Sequence, residues 1–155
     1  MTLIPAPVLK WWLVGVASFR GLAVVLGYFF IDKVKSSVFS LAPSQVSDLQ
    51  GRTFAQWTLA TCTVTLFCAF NLSSKPLFVA TWLTFFAAVS FFFAELFVYG
   101  SVTWRNLVGP LVFGGGSLVL MGIFYVENFL PPGDKNDPAA SHAVKAGVSH
   151  AAKAR

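Results

Sequence analysis

Charge is scarce in this sequence. Only 11% of its 155 residues are Asp, Glu, Lys or Arg, while 56% are hydrophobic. Cysteine and histidine are also scarce, with two of each. A soluble domain of this length exposes too much surface to bury so large an apolar fraction. The composition therefore argues against a water-soluble globular protein and favours an integral membrane protein.

The hydrophobic residues do not alternate with polar ones, as the strands of a membrane β-barrel would require. They form four continuous blocks instead, at residues 11–31, 54–70, 77–99 and 107–130. Each block has about the 17–25 residues that a helix needs to cross roughly 30 Å of hydrocarbon. The first is too long for a signal peptide, so we expect it to be retained. We predict an all-α integral membrane protein, a bundle of four transmembrane helices in one domain, residues 1–130.

Residues 131–155 have too few apolar side chains to form a core, and we predict a flexible, disordered basic tail there. An even number of spans puts both termini on the same side of the membrane. Lysine and arginine near the span ends are divided equally between the two sides, so the positive-inside rule does not choose an orientation. The basic tail leads us to expect cytosolic termini.

The spans contain no histidine, which argues against a haem or di-metal site built on the helices. Cys62 and Cys68 are six residues apart on one helix and cannot bond to each other, and His142 and His150 lie in the tail. The glycine-rich stretch 109–117 is apolar and no lysine follows it, so it suits close helix packing better than phosphate binding. We predict no catalytic residue, no cofactor, no metal and no nucleic-acid partner.

The charged residues Arg20 and Glu95 lie within the predicted first and third spans, where an ion costs at least a few kcal/mol. Arg20 is near the middle of the first span and Glu95 near the far end of the third, about 9–14 Å apart in depth. Arg52 begins the second span on the side where the third ends. We therefore predict an ion pair between Arg52 and Glu95 that joins the two helices, with Tyr99 one turn beyond. The pair either fixes this helical hairpin or binds a partner, and both interpretations stay open.

Three short motifs carry a family resemblance. They are "LQGRTFAQWTL" at 49–59, which contains the further interaction candidate Trp57, "CAFN" at 68–71 and "ELFVYG" at 95–100. In a four-span chain of this length they resemble the ergosterol biosynthetic protein 28 family, over roughly residues 8–130.

The resemblance implies a non-catalytic scaffold in the endoplasmic reticulum membrane. Its implied partners are membrane lipids and the sterol C4-demethylation enzymes, namely the sterol C4-methyl oxidase, the NAD-dependent C4-carboxysterol dehydrogenase/decarboxylase and the 3-ketosteroid reductase. The resemblance also leads us to expect a histidine at position 91 and a serine or threonine at position 94, where this chain has Phe91 and Ala94. Glu95 therefore has fewer polar neighbours than the family pattern provides.

A small membrane transporter or a lipid- or sterol-binding protein is the alternative. In it, Arg20, Glu95 and aromatic side chains line a cavity. This hypothesis requires that Arg20 face the interior of the bundle and that a pocket reach it.

Overall fold

A computed structural model describes residues 3–130, so the predicted tail at 131–155 lies outside the described residues. The helices are α1 (Ala6–Phe29), α2 (Ile31–Ser37), α3 (Asp48–Phe70), α4 (Lys75–Phe97), α5 (Trp104–Pro110) and α6 (Gly116–Phe129). A 3-10 turn, Pro43–Gln45, precedes α3, and a π-helical segment, Leu111–Gly115, joins α5 to α6. The all-α prediction is confirmed, because residues 3–130 contain no strand. Four helices are long and apolar enough to span a membrane: α1, α3, α4 and the continuous helix Trp104–Phe129.

The helices begin earlier than the apolar blocks predict. The Oγ of Ser47 accepts a hydrogen bond from the backbone N–H of Gln50 at 3.1 Å, which caps α3 at its first turn. Asp48 in that turn complements the positive end of the helix dipole. Proline occupies the first turns of α1 and α4, where its missing N–H costs nothing. Local capping thus extends the helices beyond the apolar blocks.

Buried side chains form two separate hydrophobic clusters along the bundle. We call the end of the bundle with residues 3, 71–74 and 130 the terminal side, and the end with residues 30–47 and 98–103 the loop side. The terminal-side cluster is larger and comprises Ile4, Leu9, Leu13, Val16, Cys68, Ala69, Phe78, Phe85, Met121 and Phe124. The loop-side cluster comprises Val34, Phe39, Val46, Val102 and Leu107. Residues outside the spans therefore supply much of the second cluster.

Helices α1 and α3 approach each other most closely near the loop side. A Cβ added at Gly27 would lie 2.8 Å from the Cβ of Ala55 and 2.9 Å from the carbonyl oxygen of Gly51. A Cβ at Gly51 would collide with the side chain of Ile31. Glycine at position 27 therefore lets the backbones of α1 and α3 meet, as small residues do in other membrane helix pairs, and glycine at position 51 leaves room for Ile31 of α2.

The glycine-rich stretch allows close packing, as the sequence predicts. Pro110 interrupts the regular helix and the π-helical segment follows it. Within and after this segment, a Cβ at Gly114 would lie 3.0 Å from Val89 of α4, and one at Gly116 would lie 3.2 Å from the ring of Trp12. Two neighbouring helices thus press against the irregular turn.

Two tryptophans tie the same region to its neighbours by hydrogen bonds. The indole N–H of Trp12 donates to the Oγ of Ser117 at 3.0 Å, and that of Trp82 donates to the carbonyl oxygen of Leu118 at 3.0 Å. Both bonds come from other helices, so α6 is fixed to α1 and α4 by directional contacts as well as by packing.

Small residues recur at helical spacing on both α3 and α4, but only those on α3 pack inside the chain. Thr58, Thr61 and Thr65 of α3 are buried. On α4, Ala87 and Ser90 are exposed on the outside of the bundle. The buried face of α4 carries larger side chains, such as Phe78 and Phe85.

We predict that Gly27→Ala destabilises the bundle, because the new methyl group meets a backbone oxygen and another Cβ that cannot move aside. Overpacking of this kind costs about 1–3 kcal/mol. Gly15→Ala is the matched control on the same helix, since nothing lies within 4 Å of a Cβ there. Thermal unfolding in detergent, followed by circular dichroism, measures the difference. Equal midpoints for the two variants would show that the close contact at Gly27 does not limit packing.

Candidate functional site: the loop-side end of the bundle

Residues 30–47 fold back over the loop-side end of the bundle and are held there by hydrogen bonds. The Asn106 Nδ2 donates to the carbonyl oxygen of Val38 at 3.1 Å and to the Oγ of Ser40 at 2.7 Å. The backbone N–H of Leu41 donates to the carbonyl oxygen of Ser101 at 3.2 Å. The two loops on this side therefore form one layer, which covers part of the space between the helix ends.

Glu95 takes part in this layer and does not line an open site. The Ser101 hydroxyl donates a short hydrogen bond to the Glu95 carboxylate, and the Ser101 N–H donates to the Glu95 carbonyl oxygen at 2.9 Å. Gly100 makes the return possible, because its φ of 62° lies in the left-handed region that glycine adopts without strain. Glu95, Gly100 and Ser101 thus form a turn that ends α4.

The predicted ion pair between Arg52 and Glu95 is not present in this structure. Both residues lie on the loop side, as expected, but on different surfaces. Helix α3 meets α4 through Trp57, whose ring packs edge-to-face on that of Phe91 at 5.8 Å. Trp57 is five positions beyond Arg52, and so about 140° further around the helix. The depth argument was correct, but the helical phase turns Arg52 away from α4.

Arg52 instead borders an open groove on the outer surface between α1 and α3. Tyr28 and Gln56 line this groove with it. The Tyr28 hydroxyl donates to the Oε1 of Gln56 at 2.6 Å, which links the two helices. Tyr99 lies beyond the end of α4 and is 71% exposed. The structure therefore separates Arg52 from Glu95 and leaves Tyr99 exposed, and whether any of the three binds a partner stays a prediction.

Arg20 faces the interior, where α1, α3 and α4 meet. One guanidinium nitrogen, Nη2, donates to the Oγ1 of Thr61 at 2.6 Å, and the group lies 5.5 Å from the centre of the Phe85 ring. The other, Nη1, is buried without a hydrogen-bond partner. Ion pairs within residues 3–130 involve only Lys35, so Arg20 has no carboxylate there. The transporter hypothesis requires a pocket that reaches Arg20. Arg20 lines neither the groove described above nor the cavity described next.

A cavity of about 290 Å³ lies between the loop-side layer and helices α3 and α4. Its apolar walls come from all three, and they include Val34, Phe39, Val46, Phe54, Trp57 and Phe91. Sequence reasoning missed this cavity because three of its walls belong to a segment that hydropathy assigns to a connecting loop. The signal in the sequence was the presence of two apolar residues, Phe39 and Val46, in a polar stretch. Both are buried in the structure.

Comparison with known proteins gives one consistent result. The family model described as "Erg28 like protein" matches residues 9–119. Ergosterol biosynthetic protein 28 of Arabidopsis thaliana is 42% identical over 113 residues, which cover 73% of this chain and 86% of the relative. The Candida albicans protein of the same name is 34% identical over 77% of this chain and 88% of its own length. The Homo sapiens homologue is 36% identical over 55% of this chain and 63% of its own length. No solved structure matches the chain.

We predict that Glu95 is energetically coupled to Ser101 and not to Arg52. Glu95→Ala and Ser101→Ala each remove the same charge-assisted hydrogen bond, worth about 1.5–3 kcal/mol, so the double variant should lose little more than either single one. Arg52→Ala and Glu95→Ala should add to within about 0.5 kcal/mol. Unfolding free energies of the six proteins, measured by denaturant titration in micelles, test both statements. A coupling energy between Arg52 and Glu95 well above about 0.5 kcal/mol would contradict this prediction and support the ion pair between them.

We predict that Arg20→Met raises the thermal unfolding midpoint in detergent. Methionine keeps the contact with Phe85 and removes a buried N–H that lacks a partner, a defect that costs about 1–3 kcal/mol. Thr61 is not left unsatisfied, since its hydroxyl also donates to the Thr58 carbonyl oxygen at 3.0 Å. Arg20→Lys keeps the charge and serves as the control that should not stabilise. A lower midpoint for Arg20→Met would show that the cation itself contributes to the fold.

Proposed function

The chain belongs to the Erg28 family, and from this membership we propose that it is a non-catalytic scaffold for sterol biosynthesis in the endoplasmic reticulum membrane. The names of its relatives place the family in ergosterol biosynthesis. We propose further that it binds the sterol C4-demethylation enzymes: the C4-methyl oxidase, the C4-carboxysterol dehydrogenase/decarboxylase and the 3-ketosteroid reductase.

The large outward-facing surface of the spans is the observation that carries this proposal. Between 17% and 39% of the residues in the apolar part of each span are buried within the chain. Large apolar side chains remain exposed on all four spans, among them Trp11, Phe67, Phe86 and Val119. Much of each helix is therefore free to contact lipid or the helices of other membrane proteins, which is what a scaffold needs.

The use of polar side chains supports the same interpretation. Glu95 bonds to Ser101, and Arg20 bonds to Thr61. The carboxylate of Glu127 accepts hydrogen bonds from the backbone N–H groups of Leu3 at 2.8 Å and Ile4 at 3.4 Å. These polar groups connect parts of the fold to each other. The arrangement suits a rigid assembly platform better than a set of reacting groups converging on a substrate.

A scaffold benefits sequential reactions by keeping the enzymes close together. Tethered modules meet at effective concentrations in the millimolar range, about that of short flexible linkers. A sterol acid or ketone released by one enzyme would then reach the next before it diffuses away in the membrane. We also propose that the chain's termini lie in the cytosol, on the side that bears Lys10 and Lys75. Asn71, in a turn on that side, begins the N-glycosylation sequon Asn71-Leu72-Ser73. Glycosylation of Asn71 would place it in the lumen and contradict this orientation.

We predict that affinity purification of the tagged chain in mild detergent brings down the three C4-demethylation enzymes. Deleting the chain from cells should cause C4-methylated or C4-carboxylated sterols to accumulate, because intermediates escape between the enzymes. Mass spectrometry of the purified complex and of extracted sterols measures both outcomes. An unrelated four-span protein of the same membrane, with the same tag, is the control. A preparation free of all three enzymes would exclude the scaffold.

A further inference from the structure

The cavity on the loop side has rigid aromatic walls. Phe39 and Phe54 pack edge-to-face with ring centres 6.3 Å apart, and Trp57 and Phe91 do so at 5.8 Å. Val46, on the loop-side layer, is 4% exposed and is fixed within the smaller hydrophobic cluster. Because each wall is supported by neighbouring packing, the cavity is preformed and does not need a ligand to open it.

The cavity lies at the level where a membrane amphiphile changes from polar to apolar. Its lining on α3 runs from Gln50 to Trp57, starting two residues after the helix begins at Asp48. At 1.5 Å per residue this stretch covers about 10 Å of depth. The Gln50 end is next to the loop-side layer, and the Trp57 end lies within the apolar block at 54–70 that we predict to enter the hydrocarbon. A ligand that is polar at one end and apolar along its length fits this gradient.

The polar groups at the cavity are neutral. The Thr53 hydroxyl donates to the Leu49 carbonyl oxygen at 2.9 Å, so its own oxygen remains able to accept a hydrogen bond. The Gln50 amide makes no side-chain hydrogen bond to the described part of the chain, and it offers both a donor and an acceptor. No charged side chain lines the cavity. Within the cavity this combination suits a hydroxyl or ketone, and the cation Arg52 borders only the adjoining groove, which shares Thr53 and Trp57 with the cavity.

We propose that the cavity binds the polar end of a membrane-dissolved sterol, with its hydroxyl or ketone at Gln50 and Thr53 and its rings against Phe54, Trp57 and Phe91. A flat, rigid ring system loses less conformational freedom on binding than an acyl chain does. The volume of about 290 Å³ is at the lower end of the roughly 300–1,000 Å³ of small-molecule sites, so the cavity encloses one end of the ligand. The choice of a sterol rests on the proposed role in sterol biosynthesis.

The test uses the full chain in lipid nanodiscs with a 3β-hydroxysterol that carries a photoreactive diazirine and an alkyne tag. After irradiation, mass spectrometry should locate the adducts on residues 50–57 and on Phe91. An untagged C4-methylated sterol should compete for labelling. Adducts scattered over lipid-facing positions of all four spans, or equal labelling of the cavity by a photoreactive phosphatidylcholine, would overturn the proposal.

Thr53→Phe tests the site by filling its mouth. Thr53 is exposed, so the larger ring should not disturb the core. We expect labelling at the cavity to weaken about tenfold, which corresponds to about 1.4 kcal/mol. Thr63→Phe is the matched control: Thr63 is also exposed on α3, and its hydroxyl donates to the Leu59 carbonyl oxygen at 3.0 Å as Thr53 does to Leu49. Undiminished labelling of Thr53→Phe would contradict the site.

Partner capture by the same variants separates this inference from the proposed scaffold. Recovery of the three enzymes without sterol labelling at the cavity would reject the sterol site and leave the scaffold standing. Sterol labelling without recovery of the enzymes would support the site and reject the scaffold. A thermal unfolding midpoint for Thr53→Phe equal to that of Thr63→Phe confirms that lost labelling does not reflect misfolding.

Discussion

Hydrocarbon offers no hydrogen-bond partners, so the polar side chains of a spanning helix must find them within the protein. This constraint accounts for most of the specific contacts in the bundle. The hydroxyls of Thr58, Thr61 and Thr65 donate to backbone oxygens of their own helix. The indoles of Trp12 and Trp82 reach across to α6. Packing brings the helices together, and these bonds then fix which faces meet.

The two ends of the bundle are packed in different ways. At the terminal side the helices themselves fill the space, and the core there contains large side chains such as Phe78 and Phe85. At the loop side α1 and α3 meet at Gly27, and α4 ends at Phe97, before the turn at Gly100. The helices alone leave a gap there. Residues 30–47 fill part of this gap with Val34, Phe39 and Val46, and the cavity is the part that they leave open.

The fold could be predicted from the sequence because hydropathy and length define the spans directly. The hydrogen-bond partner of Glu95 could not be predicted, because the choice between Arg52 and another group depends on which face of α3 meets α4. A rotation of about 140° between Arg52 and Trp57 separates the predicted contact from the observed one. The glycine at position 100 was a usable signal, since a glycine after an apolar helix commonly marks a reversal of the chain. The cavity depends on tertiary packing of a polar loop, which no helical periodicity describes.

Glu95 and Arg20 show how the position of a charged residue along its span limits the groups that can satisfy it. Glu95 lies two residues before the end of α4, where a loop can return to it, and Ser101 does so. Arg20 lies about 4 Å from the middle of α1, beyond the reach of any loop, and must use neighbouring helices. Those helices supply a hydroxyl and an aromatic ring but no carboxylate within the described residues. The charge of Arg20 is therefore less completely compensated than that of Glu95.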